Sequence, residues 1–325
     1  MSHTAHNLYE IENVYPPKHP DTGEAASPLW YKGIYSIVLY LGLGYMLLRR
    51  WDLLLLIFGI VLLHELGHFF AMRYYHYTDI GILFLPFIGA WVQGNKNEIS
   101  QRQSIIILLA GPVPGILLGL LLHWLDGGKN IYVGAIPLGF IAQLLIWANL
   151  LNLLPLYPLD GGQLLHRIFL DEEERFIHIS MLLSIIATIW ISISTHFYPL
   201  LIIPALLIYR FINDRSNVKL EKAIEASGID VNTTYEALSN EAYWKLRAIL
   251  IQHIPYLHHV KTGPPYVYDT NESRIVQLVK AVLQKNLLLD VSAKGKIVLA
   301  IVWLVLLSLP WLFDIDFLLL KYLTP

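Results

Sequence analysis

The chain has 325 residues, of which 55% are hydrophobic and only 15% charged, and its mean hydropathy is +0.52. A soluble domain carries about 25% charged residues, so the deficit points to long apolar runs and to an integral membrane protein. A net charge of −2 gives no sign of a nucleic-acid partner, and the absence of cysteine excludes disulfides and thiolate metal sites.

In chain order, residues 1–28 are polar and proline-punctuated, unlike a secretory signal, and read as a cytoplasmic tail. Runs of roughly 20 apolar residues are long enough to span a bilayer. The first covers 29–48 and the second 51–74. The stretch "DIGILFLPFIGAWVQG" (79–94) is too short and too rich in Gly and Pro to span, so a re-entrant hairpin buried against protein is expected. Further spans are read over 104–125, 132–154 and 176–194, with a weaker one at 198–212 that contains Pro199 and Pro204. Residues 213–294 are polar, and "NVKLEKAIEASG" and "RIVQLVKAVLQK" show helical spacing, which predicts a small, mostly helical cytoplasmic domain. A last span, within 295–325, is interrupted by Pro310, Asp314 and Asp316. The expected fold is thus an all-α polytopic membrane protein of about six to seven spans with a short re-entrant hairpin: a tail at 1–28, a membrane-embedded core at 29–212, the helical domain at 213–294 and a C-terminal transmembrane helix at 295–325. With the tail inside, only Arg49, Arg50, Lys129 and Lys321 of the 23 basic residues fall outside. The reading is a bacterial cytoplasmic membrane, with the site toward the cytoplasm.

Inside the second run, "VLLHELGHFF" (61–70) carries three ionisable groups. Residues four apart share a helix face, so His64 and His68 can hold one metal ion while Glu65 lies beside them. This is the His-Glu-x-x-His pattern, in which two histidines bind zinc and the glutamate is a general base. An ionisable group at the centre of a membrane helix costs on the order of 2.5–3.5 kcal/mol on insertion scales. The bland alternative is two histidines bonded to neighbouring helices, with Glu65 neutral. Zinc in such a site needs a third protein ligand and an open position. A third histidine six residues on is excluded by Tyr74. The best candidate is Asp160 in "NLLNLLPLYPLDGG" (149–162), where Pro155 and Pro158 stop a helix and Gly161 and Gly162 allow a close turn. Its alternative is a loop aspartate capping the next helix. Counted from Trp51 at 1.5 Å per residue, His64 lies about 20 Å along its helix, in the cytoplasmic third of a layer about 30 Å thick. His123, His166, His178 and His196 sit near span ends, where interfacial imidazoles are ordinary.

With Asn152, Pro155 and Leu159-Asp160-Gly161, the His64–His68 motif resembles the site-2 protease family of intramembrane zinc metalloproteases. The resemblance covers about 30–170, including "FLPFIGA" and "AGPVPG" at 110–115. It implies one zinc held by His64, His68 and Asp160, Glu65 as catalytic base, and Asn152 in substrate binding or site orientation. The family often has asparagine a few residues after its Gly-Pro, where this chain has Gly115. The implied function is hydrolysis of a peptide bond in or near the transmembrane helix of a membrane-protein substrate. The partners are that segment and the bilayer, with no nucleic acid. A non-catalytic scaffold of the same fold and a zinc transporter are the alternatives; the intact Glu65 speaks against the first, and polar groups clustered at one depth against the second.

Overall fold

The computed structural model describes residues 15–20, 29–86, 89–96, 98–169, 174–196, 198–231, 233–283, 286–288, 290–313 and 315. The chain divides into two compact units: a core unit of Ala26–Phe211 with Asn286–Pro325, and a second unit of Met1–Ala25 with Ile212–Lys285.

The core unit opens with helices α1 (Leu29–Leu48) and α2 (Trp51–Tyr74), followed by strands β1 (Thr78–Leu85) and β2 (Gly89–Asn95). The two strands pair antiparallel, with Leu85 opposite Gly89 and Ile82 opposite Val92. The expected re-entrant segment is therefore a β-hairpin; Phe87 and Ile88 at its turn lie outside the described residues. A short strand β3 (Glu98–Ser100) leads into α3 (Gln101–Ala110) and α4 (Pro112–Asp126). Ser100 caps α3, its Oγ accepting from the Gln103 amide at 3.2 Å. The expected span at 104–125 is thus two helices, parted where Pro112 and Pro114 withhold the N–H groups that a continuous helix would need.

Strands β4 (Tyr132–Val133) and β5 (Ile136–Pro137) form a tight hairpin before α5 (Leu138–Asn152). The helix starts six residues later than the apolar run, because Gly134 turns the chain at φ +60° and Pro137 has no N–H to enter a helix. Then follow α6 (Asp160–Phe169), α7 (Glu174–Thr195) and a 3₁₀ turn at Tyr198–Leu201. Helix α8 (Ile202–Ala226) runs past the apolar stretch into the second unit. The second unit continues with α9 (Asn240–His253), a 3₁₀ turn at Pro255–Leu257 and α10 (Glu272–Val282). Strand β6 (Asn286–Leu288) returns to the core unit, pairing in parallel with β3, and α11 (Ala293–Leu312) ends the described helices. Asp314, Asp316 and the acidic residues 171–173 lie outside the described residues.

The molecule is mostly helical. Among the described residues, four helical stretches are long and apolar enough to cross a membrane: Tyr31–Leu48, Trp51–Tyr74, Gln101–Asp126 and Ala293–Leu312. Leu55, Leu117, Trp124 and Leu304 on these stretches are exposed, as side chains facing lipid would be. Behind the site, Ile105, Ile116, Ile146, Leu153, Leu164 and Ile168 form a buried apolar cluster, sealed by Trp303 of α11. The Trp303 indole donates to the Leu153 carbonyl at 2.9 Å, pinning the chain between α5 and α6.

Candidate metal centre

Helix α2 presents His64 and His68 on one face, as the four-residue spacing requires, and the first residue of α6 brings Asp160 to them. Asp160 Oδ2 lies 3.0 Å from His64 Nε2 and 3.3 Å from His68 Nε2, and the two ring nitrogens are 3.1 Å apart. Both histidines are 7% exposed. Among the described residues this is the group of His, Asp and Glu side chains placed to share a metal ion. Asp160 therefore turns its carboxylate to the histidines. Glycine beside it is obligatory, because a Cβ at Gly161 would lie 1.9 Å from the Leu153 carbonyl oxygen.

The protons on these rings can be placed from their other partners. His68 Nδ1 is 2.8 Å from the Ile107 carbonyl, which can only accept, so Nδ1 carries the hydrogen. His64 Nδ1 is 2.8 Å from Asn149 Oδ1, likewise an acceptor. The Asn149 amide is oriented by its own Nδ2, which donates to the Leu145 carbonyl at 2.7 Å. In the neutral rings both Nε2 atoms are then bare lone pairs, facing a buried carboxylate oxygen that has no hydrogen-bond donor. Three acceptors within about one contact distance repel unless a cation lies between them. Two imidazoles and one carboxylate, each ring fixed through its far nitrogen, are the donor set and outer support of a catalytic zinc. The residues present fit the metal.

Close backbone approach makes this possible. A Cβ at Gly111 would lie 2.3 Å from His68 Nε2, and one at Gly67 would lie 1.9 Å from the Ala110 carbonyl oxygen. The break between α3 and α4 thus lets α2 press its ligand face onto bare main chain. Glu65, beside the ligands, is 5% exposed, and the backbone of Val92 on β2 lies against its carboxyl.

Asn152 ends α5 and is half-buried. The amide that reaches His64 is instead Asn149, one turn earlier and 1% exposed. Its signal in the sequence is a polar residue inside the apolar run "LIWANLLNLL". Gly115 makes the room for it, since a Cβ there would lie 2.2 Å from Asn149 Nδ2. The glycine that departs from the family pattern and the unexpected asparagine thus occupy one space between α4 and α5. The Ile107 carbonyl left no sequence signal at all. His178 packs against Phe211, and among the described residues no other histidine joins the group.

Residues 52–128 match the model of peptidase family M50. The chain carries a peptidase family M50 domain, that of the site-2 proteases. The matched part of the M50 domain holds His64, Glu65 and His68, whereas Asp160 lies beyond it and joins the site through the geometry above. The chain is 32% identical over 117 residues to the zinc metalloprotease MJ0392 of Methanocaldococcus jannaschii. It is 31% identical over 116 residues to the stage IV sporulation protein FB of Bacillus subtilis. Each alignment takes in 36% of this chain, and it spans only 34% and 40% of the two relatives' lengths. Among solved structures, the site-2 protease from M. jannaschii is similar with a TM-score of 0.41 at 23% identity, covering 54% of this chain and 84% of that one. The M50 domain and the apolar helices together make this an integral membrane protein.

Proposed function

We propose that the chain is an intramembrane zinc metalloprotease that cuts a membrane-protein substrate in or near its transmembrane helix. The observation that carries this reading is the meeting of three buried acceptors, His64 Nε2, His68 Nε2 and Asp160 Oδ2, with a buried carboxyl one residue away on the same helix. These three atoms would hold the zinc. When bound, zinc polarises a carbonyl and lowers the pKa of a coordinated water. Asn149 and the Ile107 carbonyl keep both rings turned so that Nε2 faces inward. Glu65 takes the proton of the attacking water on its carboxylate and hands it to the nitrogen of the leaving amine.

A substrate helix hides its carbonyls in its own hydrogen bonds, so it must unwind before it is cut. The β1–β2 hairpin offers a strand on which an unwound segment can be laid by main-chain pairing. Because Val92 of β2 adjoins Glu65, a segment paired there would run past the general base.

The three shorter apolar helices, Leu138–Asn152, His178–Ser194 and Ile202–Ile212, complete a set of seven crossings, with the N-terminus and the site toward the cytoplasm. Reporter fusions test this orientation: one after Asn217 should read cytoplasm and one after Gly128 the outside, and the reverse pair would invert it.

Purified protein should hold about one zinc per chain, and Asp160→Ala should lose it. Glu65→Gln keeps shape and hydrogen bonding but cannot accept the proton. It should retain zinc while cleavage falls by about 10²- to 10⁴-fold. Near-normal cleavage by zinc-loaded Glu65→Gln protein would end the mechanism.

A further inference from the structure

Segment 15–20, Tyr-Pro-Pro-Lys-His-Pro, docks in the second unit on residues more than 200 positions away in the chain. The proline ring removes the main-chain donor and fixes φ, which leaves the carbonyls of such a segment as its readable groups. Here aromatic donors read them one after another. The Trp244 indole donates to the Pro16 carbonyl at 2.9 Å, the Tyr268 hydroxyl to that of Pro17, and the Tyr235 hydroxyl to that of His19 at 2.7 Å. Tyr15 packs on Tyr266, and the His19 ring stands edge-on to Tyr268, each at 5.1 Å between centroids.

Lys18 supplies selectivity. Its backbone N–H donates to Asn240 Oδ1 at 2.9 Å, and its ammonium donates to the Tyr235, Glu236 and Leu238 carbonyls at 2.6–2.7 Å. All three ammonium donors are thereby used. The ammonium also stands 5.3 Å from the centre of the Tyr235 ring.

The groove is fixed by contacts that do not involve the segment. Arg247 lies 4.9 Å from the Trp244 ring and is held by a two-point contact with Glu272, at 2.6 and 2.9 Å. Glu272 also accepts from Tyr243 at 2.5 Å. Trp244 stacks on Tyr268 at 5.5 Å, and Tyr266 closes the row. An aromatic shelf with outward donors, built beforehand and laid under a proline-rich backbone, is a known way of reading an extended peptide.

We propose that the second unit is a proline-rich-peptide-binding module, with Tyr15–Pro20 as its ligand in cis. A separate peptide of the Pro-Pro-Lys-x-Pro class binds the same groove in trans when the cis segment is displaced. Tethering gives the cis segment an effective concentration that a free peptide must overcome.

The test uses a fluorescein-labelled peptide with the sequence of residues 15–20, followed by anisotropy against detergent-solubilised protein. A chain lacking residues 1–20 should bind it saturably, and the complete chain at least about tenfold more weakly. A peptide carrying Lys18→Met should bind the truncated chain at least about tenfold more weakly, because it loses charged hydrogen bonds. Tyr268→Phe in the truncated chain should cost about two- to tenfold, one neutral hydrogen bond. Absence of binding by a truncated chain with a native circular dichroism spectrum, or equal binding of the Lys18→Met peptide, would overturn the proposal. Should truncation unfold the protein, the same probe is applied to the complete chain carrying Lys18→Met. That variant should bind the peptide more tightly than wild type does, and equal or weaker binding overturns the proposal.

Discussion

Both units bury charge-bearing side chains, and they balance it in opposite ways. In the second unit Arg247 and Glu272, 1% and 2% exposed, neutralise one another, and the remaining Glu272 lone pairs accept from Tyr243 and the Asp269 amide. In the core unit His64, His68 and Asp160 bring three acceptors together with no protein cation among them. A closed network of the first kind is structural, because it has nothing left to offer. An open one is tolerated in an apolar setting only if something from outside completes it, and that makes it a site.

The contrast breaks first in the second unit. Arg247→Met strands Glu272 in the interior and should cost about 3–5 kcal/mol. Hydrogen exchange over 240–283 reads this, while zinc content should stay at wild-type level. Adding Glu272→Leu removes the stranded charge and should restore most of the protection. An equal loss in the single and double variants would mean that packing, rather than charge closure, governs this unit.

In the core unit the corresponding change acts on the metal. Asn149→Ala frees the His64 ring to turn and should weaken zinc binding about 10- to 100-fold, measured by competition with a chelator of known affinity. Unchanged affinity would leave His64 oriented by packing alone.

The smallest effect is in pH. Burial raises the Glu272 carboxyl, but the hydrogen bonds from Arg247 and Tyr243 outweigh it and hold it below its ordinary value of 4.5. A lowered folded-state value contributes stability that is complete above the unfolded value and lost as pH falls through the folded one. Protection of the second unit should therefore decline below about pH 4.5. The Arg247→Met/Glu272→Leu protein should lack that part of the decline.

The two regions also differ in how far the chain declares them. His64, Glu65 and His68 are legible because a helix turns a five-residue pattern into one face, and Asp160 because prolines and glycines punctuate its turn. The boundaries of α1 and α2 coincide with the long apolar runs read at 29–48 and 51–74, which Arg49 and Arg50 separate. Asn149 was missed because its role depends on Gly115, 34 positions away, and on which face of α5 meets α2. Segment 15–20 reads as a polar tail, since its donors are found only at 235–268. Periodicity reports a residue's own element and is silent on what that element will touch.

The His68 orienter is a main-chain oxygen in the last turn of α3, where a helix has carbonyls to spare. A scan of all single substitutions should therefore find position 107 permissive toward other apolar side chains, although its backbone holds a ligand in place. The intolerance should appear at Gly67 and Gly111, which carry no functional group and merely let the chains touch. Ranking positions by sensitivity would credit two glycines with the work of one carbonyl.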